Sequence, residues 1–191
     1  MNCIQTYTGG KFDFDDLESN EINIEDIAHS LSMLCRYNGH TKMFYSVAEH
    51  SLLIAEVVSD KAKLFALLHD AAEVYISDIS RPLKKFLSYQ GTSIKDFESQ
   101  VLKVILKRFD IDLYQIPTTI RNEVNEADNR ILVNERGILN RCNDESIWES
   151  WIKDIKPLTN IVIRCEPPFL VEPEFLKKYR YYSMYERFFP R

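Results

Sequence analysis

Three ionisable side chains lie close together in an apolar, helix-favouring stretch of the sequence, LLHDAAEVYISDISRPLKKF at residues 67–86. His69 and Asp70 are adjacent, and Glu73 follows Asp70 by three residues. Buried ionisable groups destabilise a protein unless they are paired or bind a metal ion. The cluster therefore predicts that other parts of the chain supply partners for it.

Two further predicted helices each bring a side chain of this kind toward the interior. His50 lies on the apolar face of one helix, and Asp128 borders the apolar stripe of another. A single inward histidine is usually a hydrogen-bonded core residue, and a single aspartate beside an apolar stripe usually marks the edge of the surface. Together with His69 and Asp70, however, they form a mixed nitrogen and oxygen set that suits Mn, Fe, Co, Ni or Zn. Such a set leaves coordination positions open for water.

The order His, then His-Asp, then Asp resembles that of the HD-domain metal-dependent phosphohydrolases. Three segments resemble the bacterial 5'-deoxynucleotidases of that superfamily, namely SVAEHSLLIA, ALLHDAAEVYISDISRPLK and the EAD at 126–128. The segment DIAHSLSMLCRYNGHTKMFYSVAEHS is also similar to the phage and prophage branch, which includes a dATP triphosphohydrolase. The resemblance covers about residues 4–136, and the remaining C-terminal residues contain no motif that we recognise.

The resemblance implies that His50, His69, Asp70 and Asp128 are the metal ligands. Glu73 then positions or deprotonates the attacking water, a task for which a carboxylate beside a metal is sufficient. Without the ligand set, an exposed helix carboxylate would be the simpler interpretation of Glu73.

The resemblance also implies a set of substrate contacts. Asp78 corresponds to the aspartate of the family's catalytic site that contacts the sugar. Helix capping or turn stabilisation is the alternative role for this residue. Arg36 corresponds to an arginine that contacts the phosphate, which its planar fork suits, and a structural ion pair is its alternative. Tyr37 takes the aromatic position near the nucleoside.

Two basic residues complete the implied contacts. Lys84 corresponds to a lysine near the phosphate, although Arg81 and Lys85 could take its place or simply be solvated. His40 occurs in the phage branch, where it would reach a longer polyphosphate, and a core or capping role is the alternative. His29 is expected to be structural.

One protein-held divalent transition metal is expected, because the binuclear HD phosphodiesterases need histidines on further helices and only His29 and His40 remain. Its identity among Co, Mn, Zn, Ni and Fe stays open, and a Mg ion could arrive with a triphosphate substrate. Glu135, two helical turns beyond Asp128, is expected to orient the site from behind the ligands.

The elements that position these residues predict an all-α, mostly helical fold with a small N-terminal β-hairpin around IQTYTGG and KFDF. The resemblance implies that this fold is that of an HD domain. Helices are predicted in NIEDIAHSLSML, SVAEHSLLIAEVV, KAKLFALLHDAAEVYI and SIKDFESQVLKVILKRF, and from about Pro117 to about Leu139. Residues 137–191 are expected to form shorter packing helices. The whole chain, 1–191, is expected to be a single domain, with its motifs within about residues 4–136.

Composition narrows the function classes. The net charge of −5 argues against a polymeric nucleic acid as the partner, since such proteins normally carry a basic surface. Four scattered cysteines favour free thiols over a zinc ribbon or a disulfide framework. Because no leader-like segment or membrane-length apolar run occurs, we expect a cytoplasmic protein with no membrane partner. A homo-oligomer remains open.

The sequence therefore predicts a metal-dependent phosphohydrolase that releases phosphate from deoxynucleoside 5'-monophosphates. The alternative is a dNTP triphosphohydrolase, with a substrate like dATP, that releases triphosphate. A second alternative is a non-catalytic module that binds nucleotides and regulates. Such a module would be expected to lose a ligand or Glu73, and both are retained.

Overall fold

Helices make up most of the structure, a computed structural model that describes residues 2–141 and 150–188. This confirms the predicted mostly helical fold. The elements, in chain order, are β1 (Cys3–Gln5), β2 (Lys11–Asp13), α1 (Ile24–Met33), α2 (Val47–Val57), α3 (Lys63–Leu68), α4 (Glu73–Ile76), α5 (Arg81–Lys84), β3 (Ser88–Tyr89), β4 (Thr92–Ser93), α6 (Ile94–Arg108), α7 (Thr118–Leu139) and α8 (Pro168–Phe188).

The N-terminal hairpin occurs where it was predicted. Strands β1 and β2 pair antiparallel with Ile4 opposite Phe12. The turn contains Gly9 at a φ of 92°, a left-handed conformation that glycine adopts without strain. Phe12 is buried and stacks on Tyr75 of α4, so the hairpin is attached to the helical core.

The starts of α1 and α2 follow their predicted capping residues. The Asn23 side chain accepts a hydrogen bond from the backbone of Glu25, and the Ser46 hydroxyl accepts one from the backbone of Glu49 at 3.1 Å. Helix α2 then packs between α1 and α3, which places His50 in the interior.

The helix predicted through KAKLFALLHDAAEVYI is interrupted, so that part of the prediction is wrong. Residues 69–72 form turns between α3 and α4, in which the Glu73 N–H donates to the Asp70 carbonyl three residues earlier. The His69 ring lies 2.7 Å from the Ala66 carbonyl, the acceptor that α-helical pairing gives to residue 70. A side chain that competes for a backbone acceptor in this way favours a break, and apolar periodicity does not reveal it.

Helices α6 and α7 bury the stripes that the sequence indicated. Phe97, Val101 and Ile105 of α6 are buried, as are Ile120, Val124, Ala127 and Ile131 of α7. Pro117 precedes the first residue of α7 and occupies its N-cap. Because the buried stripe of α7 continues on both sides of Asp128, that residue is held at the edge of the core.

The C-terminal region differs from the prediction of shorter helices. Helix α7 extends into it as far as Leu139, and residues 168–188 form the single long helix α8, which packs against α1, α2 and α3. Pro173 lies inside α8 without ending it. A short 3-10 helix, Ser150–Asp154, does form between α7 and α8, whereas residues 142–149 and 189–191 lie outside the described residues.

Two further observations concern the sequence-based expectations. Cys3, Cys35 and Cys165 are free thiols, whereas Cys142 lies outside the described residues. Within the described ranges, none of the helices combines the length and apolarity that crossing a membrane requires.

Candidate metal centre and active-site cleft

Three of the four predicted metal ligands come together. One ligand atom from each of His50, His69 and Asp128 lies within 4.8 Å of the other two. Their chain positions are far apart: His50 lies on α2, His69 follows α3, and Asp128 lies on α7. His50 is completely buried, and the other two are partly accessible.

Glu135 fixes the orientation of the His50 ring. Nδ1 of His50 lies 2.7 Å from Oε1 of Glu135, a carboxylate with no exposed surface. Burial favours its neutral form, but Arg36 and His50 outweigh burial and lower the pKa of Glu135 to about 2. As an anion it can only accept, so Nδ1 carries a proton, and Nε2 faces Asp128, whose Oδ1 is 3.2 Å away.

A backbone carbonyl fixes the orientation of the His69 ring, as Glu135 does for His50. Its Nδ1 lies 2.7 Å from the Ala66 carbonyl oxygen, which can only accept a hydrogen bond. Nδ1 therefore carries the proton in the neutral ring, and Nε2 is left with a free lone pair. The two imidazole rings are 5.6 Å apart between centroids.

The two free nitrogens show that the residues fit a metal ion. Nε2 of His50 and Nε2 of His69 are both buried without a hydrogen-bond partner among the described residues. Buried polar atoms are normally satisfied, and the two nitrogens face carboxylate oxygens of Asp128 and Asp70 at 3.2 and 3.3 Å, so the cluster requires a positive charge between them. A cation that accepts their lone pairs provides it, and an N–H donated to another residue is the usual support of a metal-binding histidine.

The electrostatics of the cluster also favour a cation. Burial and the Arg36 guanidinium oppose protonation of His50, yet Glu135 and Asp128 raise its pKa to about 9. Burial opposes ionisation of Asp128, but His50 and His69 hold its pKa well below the usual range. Positive charge on His50 Nε2, whether a proton or a metal ion, is therefore stabilised by its surroundings.

Asp70 lies beside this group of three. Its Oδ2 is 3.3 Å from Nε2 of His69 and 3.6 Å from Nε2 of His50. The same oxygen lies 3.6 Å from Nη1 of Arg36. Asp70 thus faces both the histidine pair and the guanidinium. It lies beside the group of three without being part of it.

Glu73 is a buried carboxylate at the wall of the same cavity. It is 4% exposed, and its Oε2 has no hydrogen-bond partner in the described part of the chain. Burial, with Asp70 and Asp78 nearby, raises the pKa of Glu73 well above its usual value, and Arg36 and Lys84 only partly offset this. A carboxylate of raised pKa is suited to accepting a proton near neutral pH.

Asp78 is presented by a tight turn. The Ile79 N–H donates to the Ser77 carbonyl at 2.9 Å, which places Asp78 at the centre of a three-residue turn. Ser77 has a φ of 69°, an uncommon conformation for a residue other than glycine. Among the described residues no hydrogen bond engages the Asp78 carboxylate, so it does not cap a helix.

Arg36 and Tyr37 make structural contacts and also line the cleft. Nη2 of Arg36 is 3.4 Å from Oε2 of Glu135, and the Tyr37 hydroxyl donates to the same oxygen. Tyr37 and Asn38 have φ values of 57° and 51°. Backbone strain of this kind persists where the surroundings impose it, and it is concentrated at ligand-binding sites.

The cleft that joins these residues has a volume of about 1020 Å³. That size lies at the upper end of the range usual for small-molecule sites. Its wall contains five acidic and five basic side chains, Asp70, Glu73, Asp78, Glu98, Asp128, Arg36, Arg81, Lys84, Lys85 and Lys95. The cleft therefore combines a candidate cation site with groups that can bind an anion.

The structure brings most of the predicted substrate contacts to this cleft. Lys84 lines it, but both carboxylate oxygens of Glu98 lie 2.7 Å from its ammonium nitrogen, so its charge is already balanced. His40 is exposed and is not among the lining residues, because the turn formed by Arg36–Gly39 leads the chain away from the cleft. Its predicted place beside a substrate is therefore not supported.

Three residues that matter here were missed by the sequence reasoning. Glu98 and Lys95, both on α6, line the cleft, although α6 was read only for its apolar stripe. Glu49 was read as half of a capping box, but its carboxylate accepts backbone hydrogen bonds from residues 164–166. Charged residues near the start of an amphipathic helix are too common to have singled these out.

Comparisons with known proteins identify relatives of this chain. It is 37% identical over 148 residues to the uncharacterized protein YfdR of Escherichia coli K12, with 78% of each chain covered. It is 33% identical over 130 residues to an uncharacterized protein of Rhodobacter capsulatus, covering 63% of this chain and 64% of that one. No protein-family profile matches the sequence. The length and identity of the first match show that this chain belongs to the same family as YfdR.

Proposed function

We propose that this protein is a metal-dependent phosphohydrolase of deoxynucleotides that releases phosphate from deoxynucleoside 5'-monophosphates. One observation carries the proposal: two buried histidine nitrogens, without hydrogen-bond partners in the part of the chain that the structure describes, converge on Asp128 at a cleft that also contains Glu73. The resemblance of these residues to the HD-domain motif supports the same reaction class.

His50, His69 and Asp128 would hold the metal, with Asp70 as the fourth candidate ligand. Two imidazoles and one or two carboxylates suit a divalent transition ion and leave positions open. Such an ion would supply Lewis acidity to a phosphoryl oxygen and lower the pKa of a bound water.

Glu73 is the candidate general base for the reaction. It accepts a proton from the attacking water, whose oxygen forms a bond to phosphorus while the bond from phosphorus to the 5'-oxygen breaks. The departing 5'-oxygen takes up a proton, and the products are a deoxynucleoside and inorganic phosphate. Arg36, whose guanidinium lines the cleft, offsets the negative charge of the phosphate.

A second candidate function, hydrolysis of a dNTP to nucleoside and triphosphate, has its own support. A cleft of about 1020 Å³ with five cationic side chains in its wall has room and charge for more than one phosphate. The same ligands and the same base would serve both reactions, so the two candidates differ in the substrate that fits.

The experiment that tests the proposal incubates the purified protein with Mn, Co, Zn, Ni or Fe and with a panel of dNMPs and dNTPs. Chromatography of the products distinguishes phosphate from triphosphate release. We expect a deoxynucleoside and inorganic phosphate from at least one dNMP. Triphosphate release alone would favour the second candidate, and binding of nucleotides without turnover under any metal would favour a non-catalytic module.

A further inference from the structure

We propose that Lys95 is a specificity-determining residue that binds a second anionic group of the substrate, beyond the phosphate nearest the candidate metal centre. This inference rests on the proposed function, since it assumes that a nucleotide occupies the cleft. It assigns a role to a side chain that neither the motif nor the relatives single out.

Among the described residues, the basic side chains of the cleft other than Lys95 all have polar or charged partners in the protein. Arg36 faces Asp70 and Glu135, Arg81 lies 3.7 Å from Asp128 and 3.5 Å from Asn129, and Lys84 is held by Glu98. Lys85 also interacts with other groups of the protein. Lys95, by contrast, has no hydrogen-bond or ion-pair partner within residues 2–141 and 150–188, although it lines the cleft.

The position of Lys95 in its helix supports a role in binding. It is the second residue of α6, where the helix dipole is positive and a cation is unfavourable. The carboxylate of the adjacent Asp96 forms no ion pair with Lys95 among the described residues; it accepts from the Ser93 hydroxyl at 2.6 Å, and the Asp96 N–H donates back to that hydroxyl. A cation that destabilises its own helix and faces a cleft is best explained by an anion that binds there.

The balance of charge at Lys84 makes Lys95 more important. An anion that approaches Lys84 must compete with Glu98, whose two oxygens already contact the ammonium group. An anion that approaches Lys95 displaces only solvent. The positive charge of the cleft that is open to an anion therefore lies on Lys95 of α6. A substrate with two or more phosphates can bind it with a second phosphate, an interaction that a monophosphate lacks.

Isothermal titration of the full-length protein without added divalent metal, with dAMP and dATP as ligands, tests this assignment. Because Lys95→Met removes a solvent-exposed, charge-assisted contact, it should weaken dATP binding about tenfold. The affinity for dAMP should change less than about twofold, because a monophosphate makes no contact with Lys95. Lys95→Arg should retain the preference for dATP.

Lys61→Met is the matched control, because Lys61 is also exposed, has no partner among the described residues and lies outside the cleft. It should leave both affinities unchanged. Thermal unfolding separates binding from folding: Lys95→Met should unfold at the same or a slightly higher temperature, since a cation leaves a helix N-terminus.

Equal weakening of dAMP and dATP, an equal effect of the two lysine substitutions, or no dATP binding by the unmodified protein would each overturn the assignment. Absence of hydrolysis with selective loss of dATP binding in Lys95→Met would instead refute the proposed function and keep the role of Lys95.

Discussion

At the scale of single residues, the site is organised by one buried carboxylate. Glu135 contacts His50, Arg36 and Tyr37, and so fixes a candidate metal ligand and two lining residues of the cleft at once. The sequence could place Glu135 near the site, because it lies two helical turns beyond Asp128. It could not predict that Arg36 and Tyr37 converge on the same oxygen, since a contact across about a hundred residues depends on tertiary packing.

Glu73→Gln should slow turnover severely without removing the metal. The amide cannot accept the proton from water, so kcat should fall about 10²–10⁴-fold. Because burial and two neighbouring carboxylates raise the pKa of Glu73, the uncharged amide should not lower the thermal stability. Steady-state kinetics, elemental analysis and thermal unfolding check the three parts.

Glu126→Gln is the control for this substitution, since Glu126 is exposed on α7 outside the cleft. Normal turnover by Glu73→Gln would remove Glu73 from the chemistry. Loss of the metal together with activity would make it a ligand.

If the proposed function holds, the Tyr37 ring should make the protein prefer deoxynucleotides. A ring against the 2' face leaves no partner for a buried 2'-hydroxyl, which costs about 1–3 kcal/mol, so we expect a preference of about ten- to a hundredfold over ribonucleotides. Tyr37→Ala should narrow that gap by improving ribonucleotide turnover relative to deoxynucleotide turnover. The measurement is kcat/KM for dAMP with AMP and for dATP with ATP.

Tyr37→Phe separates the ring from its hydroxyl. It keeps the ring but loses the hydrogen bond to Glu135, and it should retain the deoxy preference. Equal kcat/KM values for matched pairs in the unmodified protein would contradict the role of the ring.

At the scale of elements, apolar periodicity predicted α6 and α7 well, but it missed the single long helix α8 and the break after α3. The stripes of α6 and α7 are buried as expected, because a repeated stripe has one favourable arrangement against a core. The break after α3 was missed, because it depends on the His69 ring contacting the Ala66 carbonyl. That break places Glu73 at the start of α4 rather than inside one long helix.

An ion pair between α5 and α6 balances one positive charge of the cleft. Lys84 of α5 is held by Glu98 of α6, and its pKa is raised because Glu98 outweighs the effect of burial. Glu98→Gln should release the ammonium group for a substrate phosphate and lower KM several-fold, most clearly at low salt, where such attractions are least screened. Kinetics at two ionic strengths check this, with Glu126→Gln again as the control, and an unchanged KM would mean that Lys84 does not contact the substrate.

At the scale of the whole molecule, residues distant in sequence hold the C-terminal region against the site. The Glu49 carboxylate accepts from the N–H groups of Arg164, Cys165 and Glu166 at 2.8, 3.0 and 2.9 Å. Glu49 precedes His50, so the same turn of α2 anchors the C-terminal segment and supplies a candidate ligand. No sequence pattern indicated this, because the donors are backbone groups of a segment that contains no recognised motif.

Glu49→Ala should destabilise the fold by leaving these backbone donors without an acceptor. A buried donor without a partner costs about 1–3 kcal/mol, and since these three donors are only partly buried, the lower end of that range applies to each. For a chain of this size each kcal/mol lowers the melting temperature by about 2–4 °C. The melting temperature of Glu49→Gln should lie between those of the unmodified protein and Glu49→Ala, since its amide oxygen can keep part of the contacts. Thermal unfolding measures the order, and a loss no larger than that of Glu56→Ala, an exposed position on the same helix, would contradict the anchor.

The measurement that tests the central claim most directly is the metal content of purified protein, by elemental analysis after loading and removal of excess ion. The unmodified protein and His40→Ala, which changes an exposed histidine outside the cleft, should retain a stoichiometric divalent transition metal. His69→Ala and Asp128→Ala should retain almost none and should lose hydrolysis. A stoichiometric metal in either of these variants, with normal turnover, would contradict the account of the site.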